Sequence, residues 1–286
     1  MSTAPYTAGF AWPAPAKLNL FLHVTGRRAD GYHLLQTVFQ FLDFCDQLYF
    51  IPRGDGLIHR IEGPSDIPEQ DDIVIRAARA LQSASGCNLG ADIRLVKNIP
   101  MGAGLGGGSS DAATTLVALC QLWNLGFTKD ELARIGLQLG ADVPVFVRGH
   151  AAWAEGVGEK LRPMILPEPW FLVVTPAVHV STAAIFGAPE LRRDTPEITV
   201  EDFFAGQTRN DCEPVTCARH PEVREALEQL RQFGAARMSG TGASVFLRQD
   251  SREAATAIQA QLPSHWRSFV ARGLNRSPLT GIMRAA

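Results

Sequence analysis

A glycine-rich segment, residues 100–111, constrains the fold of this chain more than any other feature of its sequence. Five of its twelve residues are glycine, and two serines and an aspartate end it. Glycine lacks a Cβ atom, so its backbone can take positive φ and bring N–H groups close to an anion. A strand predicted at residues 91–96 precedes the segment. A helix predicted to begin at Ser109 follows it and adds unpaired N–H groups and the positive end of its dipole. The glycine segment therefore predicts a phosphate-binding turn between a strand and a helix.

The rest of the sequence mixes helical and extended patterns. Residues 16–24 alternate with a period of two, with Lys17 and Asn19 opposite a row of leucines, which predicts a strand with one buried face. The helix after the glycine segment is predicted to end in a cap at Gly126, and a capping box at residues 128–131 begins the next helix. Further strands are predicted at residues 34–51, 170–175 and 244–247, and further helices at residues 71–85, 221–233 and 253–262. We therefore predict an α+β protein.

Three prolines mark an expected boundary between two lobes, near residues 158–168: Pro163, Pro167 and Pro169. The first lobe is predicted to span residues 1–162, with a loose leader at residues 1–13. The second lobe is predicted to span residues 163–286, and we expect the last residues to pack back on the first lobe.

The composition excludes several classes of protein. A formal net charge of −2 over 286 residues argues against a nucleic-acid partner. The five cysteines are scattered without a CxxC pair, which indicates reduced thiols and no zinc site. The N-terminus has no apolar signal region, and the longest uncharged run, residues 112–128, has the spacing of a buried helix. We expect a cytoplasmic protein, a monomer or weak homodimer, that acts on small molecules and does not bind membranes.

The residues alone leave three interpretations of the glycine segment open. The pattern GxGxxG at Gly102, Gly104 and Gly107 allows a dinucleotide-binding turn, but the preceding strand alternates polar and apolar residues instead of being buried on both faces. A Walker A loop would need Lys-Ser or Lys-Thr where Gly108 and Ser109 stand. A purely structural turn is the third interpretation, although three consecutive glycines cost backbone entropy that a bound ligand would better explain.

Several separated segments together resemble the GHMP kinase superfamily. Besides the glycine segment they are Pro-Ala-Lys-Leu-Asn-Leu at residues 15–20, Arg-Ala-Asp-Gly-Tyr-His at residues 28–33, Gly-Ala-Asp-Val-Pro-Val-Phe at residues 140–146, Glu-Gly-Val-Gly-Glu at residues 155–159 and Ser-Gly-Thr-Gly at residues 239–242. They run in the family's order and cover most of the chain. Within the superfamily, the resemblance is to kinases that use ATP to phosphorylate the 2-hydroxyl of a cytidine diphosphate-linked methylerythritol, giving the 2-phosphate and ADP, in non-mevalonate isoprenoid precursor biosynthesis.

The resemblance implies a two-lobed GHMP kinase fold with the active site in the cleft between an ATP-binding first lobe and the second lobe. It implies that Asp142, expected at a helix-to-strand turn, accepts the proton of the acceptor hydroxyl, with Lys17 beside it as the second catalytic residue. The implied ATP-binding residues are Pro100, Met101, Gly102, Ala103, Gly104, Leu105, Gly106, Gly107, Gly108, Ser109 and Ser110. The implied substrate-binding residues are Asn19, Tyr32, His33, Phe39, Thr182 and Phe186. A second glycine turn, residues 239–244, is implied to contribute Gly240, Thr241 and Gly242. The implied cofactor is ATP with Mg²⁺, carried as Mg·ATP, and no dedicated protein metal site is identified although Ser110 is available.

Structural roles compete with these assignments. On local sequence alone Asp142 is also a turn cap, Lys17 a solvated strand lysine, and Tyr32 and His33 ordinary loop packing, while Lys97 is expected to be a solvated charge. Another GHMP kinase, acting on homoserine, mevalonate or a sugar, would keep the glycine segment and lack the pair of Tyr32 and His33. A dinucleotide-binding oxidoreductase would need a Rossmann sheet. In a non-catalytic nucleotide-binding module Lys17 and Asp142 would be dispensable.

Overall fold

A long antiparallel hairpin organises the first half of the chain. In the computed structural model, which describes residues 10–282, strand β1 (Trp12–Arg27) pairs with strand β2 (His33–Arg53) along most of its length. Both faces of β1 are buried, so the prediction of a single buried face is wrong. The reason is that helices of the first half and strands of the second half both pack against this strand. The strand also begins inside the predicted leader, whose residues 1–9 lie outside the described part of the chain.

The other strands extend this hairpin into one mixed sheet. They are β3 (Ile58–Glu62), β4 (Gly90–Val96), β5 (Ala152–Glu155), β6 (Lys160–Pro163), β7 (Trp170–Thr175), β8 (Arg237–Met238), β9 (Val245–Gln249) and β10 (Arg267–Leu274). The strand order is β3-β4-β2-β10-β7-β9-β8, while β1 and β5 also pair with β2, and β6 pairs with β5. The pairing of β3 with β4 is parallel, and the other strand pairings named here are antiparallel.

The helices cover the sheet and connect its strands. They are α1 (Ile73–Ser85), α2 (Gly107–Leu122), α3 (Lys129–Leu137), α4 (Val143–Arg148), α5 (Thr182–Phe186), α6 (Val200–Phe204), α7 (Glu213–Arg219), α8 (Pro221–Arg231) and α9 (Arg252–Gln259), with 3-10 helices at Glu69–Asp71 and Pro278–Gly281. This mixture confirms the predicted α+β class. Of the helices in residues 10–282, none has the length and apolar character needed to cross a membrane.

Helix α2 begins two residues earlier than Ser109, where the sequence predicted its start. Gly106 takes the N-cap position with φ of 72°, so Gly107 is already the first helical residue. Because a glycine N-cap has no side chain, it leaves the first-turn N–H groups without a side-chain acceptor.

The end of α2 also differs from the prediction. Asn124, not Gly126, takes the left-handed conformation there, with φ of 55°. The N–H of Leu125 then donates to the carbonyl of Cys120 at 2.8 Å, which closes the helix in a Schellman arrangement. Asparagine replaces glycine at this position because it tolerates positive φ better than most residues. The capping box at residues 128–131 is confirmed at the start of α3.

Two large hydrophobic clusters form the core. The first packs α1, α2, α3 and α4 against β2 and β4. The second packs α7 and α8 against β7, β8 and β9. The glycine segment connects β4 to α2, and both of these elements pack in the first cluster. Buried elements therefore anchor both ends of the segment.

Strand β10 and the residues after it connect the two clusters. Arg267–Arg272 of β10 pair with β7, and Gly273 and Leu274 pair with β2. The 3-10 helix Pro278–Gly281 then lies against β1, and Leu279 is buried in the first cluster. The division into lobes at residues 1–162 and 163–286 stays a prediction.

Candidate active site

One large cleft, with a volume of about 1000 Å³, brings most of the predicted site residues together. Its lining includes the glycine segment from Pro100 to Ser109 and the following predicted residues: Lys17, Asn19, Tyr32, His33, Phe39, Asp142, Thr182, Phe186, Gly240 and Thr241. Ser110 and Gly242 do not line it. Ser110 is fully buried, and its Oγ has no hydrogen-bond partner among residues 10–282.

The glycine segment is a turn whose backbone favours glycine at three positions. Gly102, Gly104 and Gly106 have φ of 65°, 73° and 72°, in the left-handed region that side chains disfavour. The helix that follows has no acidic residue in its first turn, so its positive end faces the cleft without a compensating charge. These features would favour an anion at the start of α2.

The second glycine turn packs directly on the glycine segment. A Cβ atom on Gly104 would lie 2.4 Å from the carbonyl oxygen of Ser239 and 2.8 Å from that of Gly242. Ser239 Oγ donates to the Gly104 carbonyl at 3.0 Å, and the N–H of Ser244 donates to the Ala103 carbonyl at 3.0 Å. The two glycine-rich turns, which are about 135 residues apart in the chain, therefore fix each other's backbone.

Lys17 is a buried cation and not a solvated strand lysine. Its ammonium donates to Asn19 Oδ1 at 2.6 Å and to the Gly104 carbonyl at 3.1 Å. It lies 3.3 Å from Asp142 Oδ2 and 5.5 Å from the centre of the Phe39 ring. Because an ammonium has three N–H donors, these oxygen partners fix the direction of all of them. Lys17 thus joins β1, the glycine segment and Asp142.

Asp142 stands at the N-cap position of α4, but its side chain makes no capping hydrogen bond. The carboxylate instead faces the Lys17 ammonium with about a third of the side chain exposed. This geometry does not support the turn-cap interpretation. The predicted strand after Asp142 is wrong: Val143–Arg148 is helical, with Pro144 in its first turn, where proline is well tolerated.

Asn19 holds Lys17 in place. Its Oδ1 accepts from the lysine, and its Nδ2 donates to Thr37 Oγ1 at 3.0 Å. Its backbone N–H donates to Ser239 Oγ at 3.1 Å. With the amide engaged at both ends by protein groups, the direct effect of Asn19 is to position the cation.

The opposite end of the cleft is aromatic. The ring of Tyr32 is largely exposed at the rim. His33 stacks on Phe186 with ring centres 5.0 Å apart and an interplanar angle of 26°. The pKa of His33 is lowered, first by burial and then by the positive charges of Arg193 and Arg27, so the ring is neutral near pH 7. Thr182 lies near this end with its hydroxyl 3.1 Å from that of Thr241.

Sequence reasoning missed the contacts of two charged residues, Arg193 beside the cleft and Lys97 in its lining. Arg193 donates from Nε to His33 Nε2 at 3.0 Å, across 160 positions of the chain. Lys97 lines the cleft and forms ion pairs with two buried carboxylates, Asp46 and Asp111, so the prediction of a solvated charge is wrong. Although burial opposes it, the charges of Asp111 and Asp46 raise the pKa of Lys97. The sequence signal available for Lys97 was the alternation of polar and apolar residues in β4 and just after it, which leads directly into the glycine segment.

Several aspartates line the cleft, but they do not gather into a metal-binding group. Within residues 10–282, no group of three or more His, Cys, Asp or Glu side chains could hold a metal ion. Within the described part of the chain, the buried Asp111 Oδ1 has no hydrogen-bond partner. A cleft whose carboxylates are not grouped around one point fits a magnesium ion held mainly by phosphate oxygens and water, and not a cage built by the protein.

Comparison with known families identifies both halves of the chain. Residues 72–150 match the family model of the GHMP kinases N terminal domain, and residues 194–268 match that of the GHMP kinases C terminal domain. The chain is 56% identical to 4-diphosphocytidyl-2-C-methyl-D-erythritol kinase of Nitrosococcus oceani, over 94% of this chain and 96% of that protein. It is 58% identical to the enzyme of the same name from Ectopseudomonas mendocina, over 97% of this chain and 96% of that protein.

Solved structures agree in fold. A crystal structure of 4-(cytidine 5'-diphospho)-2C-methyl-D-erythritol kinase has a TM-score of 0.79 and 34% identity, covering 92% of this chain and 99% of that one. A mevalonate kinase, with a TM-score of 0.69 and 17% identity over 94% of this chain and 100% of that one, shares the fold alone. The predicted GHMP kinase fold is confirmed.

Proposed function

Since the chain belongs to the 4-diphosphocytidyl-2-C-methyl-D-erythritol kinases of the GHMP family, we propose that its cleft transfers the γ-phosphoryl group of ATP to the 2-hydroxyl of 4-diphosphocytidyl-2-C-methyl-D-erythritol. The products are the 2-phosphate and ADP, in non-mevalonate isoprenoid precursor biosynthesis. The observation that carries the proposal is the ion pair of Lys17 and Asp142. It lies in the same cleft as a phosphate-binding turn and an aromatic slot.

The proposed base is Asp142. Its carboxylate accepts the proton of the attacking hydroxyl as the new O–P bond forms and the bond between the γ-phosphorus and the β-phosphate oxygen breaks. The Lys17 ammonium, 3.3 Å away, pairs with this carboxylate and offsets the negative charge of the transferring group. A correctly positioned base typically contributes about 10²–10⁴-fold to rate.

The phosphates of ATP are proposed to lie on the glycine segment. The N–H groups of the first turn of α2 point at them, and the helix dipole adds a favourable field. Past the segment the cleft continues along Pro64, Ile67 and Ile73, with Lys97 at its edge, which gives a nucleobase an apolar surface and one donor. Mg²⁺ would be held there by phosphate oxygens and water, with Asp111 as the available carboxylate, and would supply neutralisation of phosphate charge.

The cytidine end of the substrate is proposed to occupy the aromatic slot. Tyr32 and Phe186 offer ring faces for stacking, and His33 offers a hydrogen-bonding edge. A homoserine or mevalonate substrate has no aromatic group to fill this slot, so the slot favours the cytidine substrate over those of sister kinases. We further propose that the enzyme is cytoplasmic and that it is a monomer or weak homodimer. Sedimentation analysis would test the oligomeric state.

A kinase assay tests the proposed function. Purified protein with Mg·ATP is expected to release ADP with 4-diphosphocytidyl-2-C-methyl-D-erythritol, and not with mevalonate or homoserine. Equal turnover of all three, or none with the cytidine substrate, would overturn the proposal. Phosphorus NMR of the product checks that a monophosphate ester has formed on the polyol.

A further inference from the structure

Arg193 connects the two side chains that form the aromatic slot. Its Nε donates to His33 Nε2 at 3.0 Å. One terminal nitrogen donates to the Phe186 carbonyl at 2.9 Å and to the Ala188 carbonyl at 2.6 Å, and the other donates to the Leu191 carbonyl at 2.9 Å. The His33 ring stacks on Phe186, the last residue of α5. A single guanidinium therefore holds both the backbone after α5 and the edge of the His33 ring.

The contact between Arg193 and His33 determines which ring nitrogen carries a proton. A guanidinium has only donors, so the Nε2 atom that faces it must present a lone pair. In a neutral imidazole the proton then lies on Nδ1. The lowered pKa of His33, caused by burial and by the charges of Arg193 and Arg27, agrees with a neutral ring. Among the described residues Nδ1 has no hydrogen-bond partner, and the ring lines the cleft.

We propose that Arg193 is a positioning residue that sets His33 as a donor, through Nδ1–H, to an acceptor atom on the edge of the substrate's pyrimidine ring. This proposal rests on the proposed function of the cleft. Under this proposal, the ring bound in the slot must present a carbonyl oxygen or an unprotonated ring nitrogen, such as those on cytosine. A ring lacking an acceptor at that edge would leave this N–H unpaired, which hydrogen-bonding sites reject strongly.

Lysine cannot replace Arg193 in this role. The ammonium is a compact charge on a flexible stem, whereas the planar guanidinium holds its donors in one fixed plane. Here that plane meets His33 and three carbonyls at once. Among residues 10–282 the hydrogen bonds of the Arg193 side chain go to these four acceptors and to no carboxylate.

The tautomer of His33 is a direct test that needs no substrate. In protein labelled with ¹⁵N-histidine, the His33 signals, assigned with the variant His33→Gln, should show a protonated Nδ1 and an unprotonated Nε2. In Arg193→Ala, and to a smaller extent in Arg193→Lys, this single-tautomer signature should be lost. An unchanged signature in folded Arg193→Lys and Arg193→Ala would overturn the proposal. If Arg193→Ala does not fold, Arg193→Lys decides.

Steady-state kinetics separate positioning from a general structural role. Arg193→Lys should raise the KM for the cytidine substrate by about ten- to a hundredfold, as expected for a lost charge-assisted contact, with kcat and the KM for ATP nearly unchanged. In a His33→Ala background the same change should cost much less. Arg192→Ala is the matched control, because this neighbouring arginine pairs with the exposed Asp194 and makes no hydrogen bond to His33 or Phe186 within the described residues. Equal losses in kcat and in both KM values would overturn the proposal. If wild-type protein does not turn over the cytidine substrate, the proposed function fails, and the ¹⁵N spectrum still decides the role of Arg193.

Discussion

At the scale of single residues, the buried ammonium of Lys17 contacts three separate parts of the chain in the cleft. It contacts Asn19 on its own strand, the Gly104 carbonyl of the glycine segment and the Asp142 carboxylate at the start of α4. A buried ammonium is strongly unfavourable unless oxygen partners surround it. The fold therefore keeps Asp142, Lys17 and the glycine segment at fixed distances before any ligand binds.

Substitution of Asp142 tests the proposed base. Asp142→Asn keeps the size of the side chain but cannot accept the hydroxyl proton, so kcat should fall by about 10²–10⁴-fold. The Kd for ATP should stay within a few-fold, because the glycine segment and α2 are unchanged. Initial rates and calorimetric titration with ATP measure the two effects. Asp130→Asn, at an exposed aspartate of α3, is the control, and near-full activity of Asp142→Asn would exclude it as the base.

Residues with a recognisable motif could be predicted from the sequence, and residues without one could not. Lys17 and Asn19 followed from strand alternation combined with a family resemblance. Arg193 contacts His33 only because of the tertiary fold, across 160 positions, and no local pattern marks it. Lys97 was misassigned because a charged residue after a strand looks solvated until its buried carboxylate partners are known.

At the scale of elements, the cleft depends on two glycine-rich turns packed backbone to backbone. Periodicity predicted five of the ten strands described above, β1, β2, β4, β7 and β9, and five of the nine helices, α1, α2, α3, α8 and α9. The other elements were not predicted, and in one of them tertiary packing overrode the local signal: the helix after Asp142 buries Val143, Val145 and Phe146 in the first cluster. A run of β-branched residues favours a strand locally, but burial against α2 and α3 decides the outcome.

The contact between the turns predicts the effect of a single methyl group. Gly104→Ala would place Cβ 2.4 Å from the Ser239 carbonyl oxygen and force a side chain into φ of 73°. We expect destabilisation by about 1–3 kcal/mol and a Kd for ATP raised at least about tenfold, because the glycine segment must move. Thermal unfolding and calorimetric titration measure both. Gly126→Ala is the control, since nothing lies within 4 Å of its added Cβ, and equal behaviour of the two variants would refute the packing argument.

At the scale of the whole molecule, β1 joins the two halves of the chain. His23 of this strand is buried, and its Nε2 accepts from the backbone N–H of Arg209. The adjacent Leu22 exchanges backbone hydrogen bonds with Arg209 and Asp211. The stability of this junction should therefore depend on keeping His23 neutral.

The pH dependence of stability should report this junction. Burial, opposed by Asp211 and reinforced by Arg209 and Arg192, lowers the pKa of His23 below 6.5. Between that lowered value and 6.5 the unfolded chain binds more protons than the folded one, so stability falls as pH drops below about 6.5. Urea unfolding at pH 7.5 and 5.5 should show this loss. It should be smaller in His23→Gln and unchanged in the control His265→Gln, at an exposed histidine. An identical loss in all three proteins would contradict the assignment.

The return of the chain to the first cluster predicts cooperative unfolding. Leu279 is 1% exposed, packs in the first cluster and follows β10, which pairs with strands on both sides of the expected lobe boundary. Leu279→Ala should cost about 2–5 kcal/mol through lost burial and the cavity left behind. Because β10 couples the two parts of the sheet, tryptophan fluorescence and circular dichroism in urea should shift together. Leu57→Ala, at a leucine that is 50% exposed, should change stability by less than about 1 kcal/mol. If the fluorescence and circular dichroism transitions of Leu279→Ala separate, the two halves unfold independently. If Leu279→Ala lowers the free energy of unfolding as little as Leu57→Ala does, this contact does not hold the sheet to the first cluster.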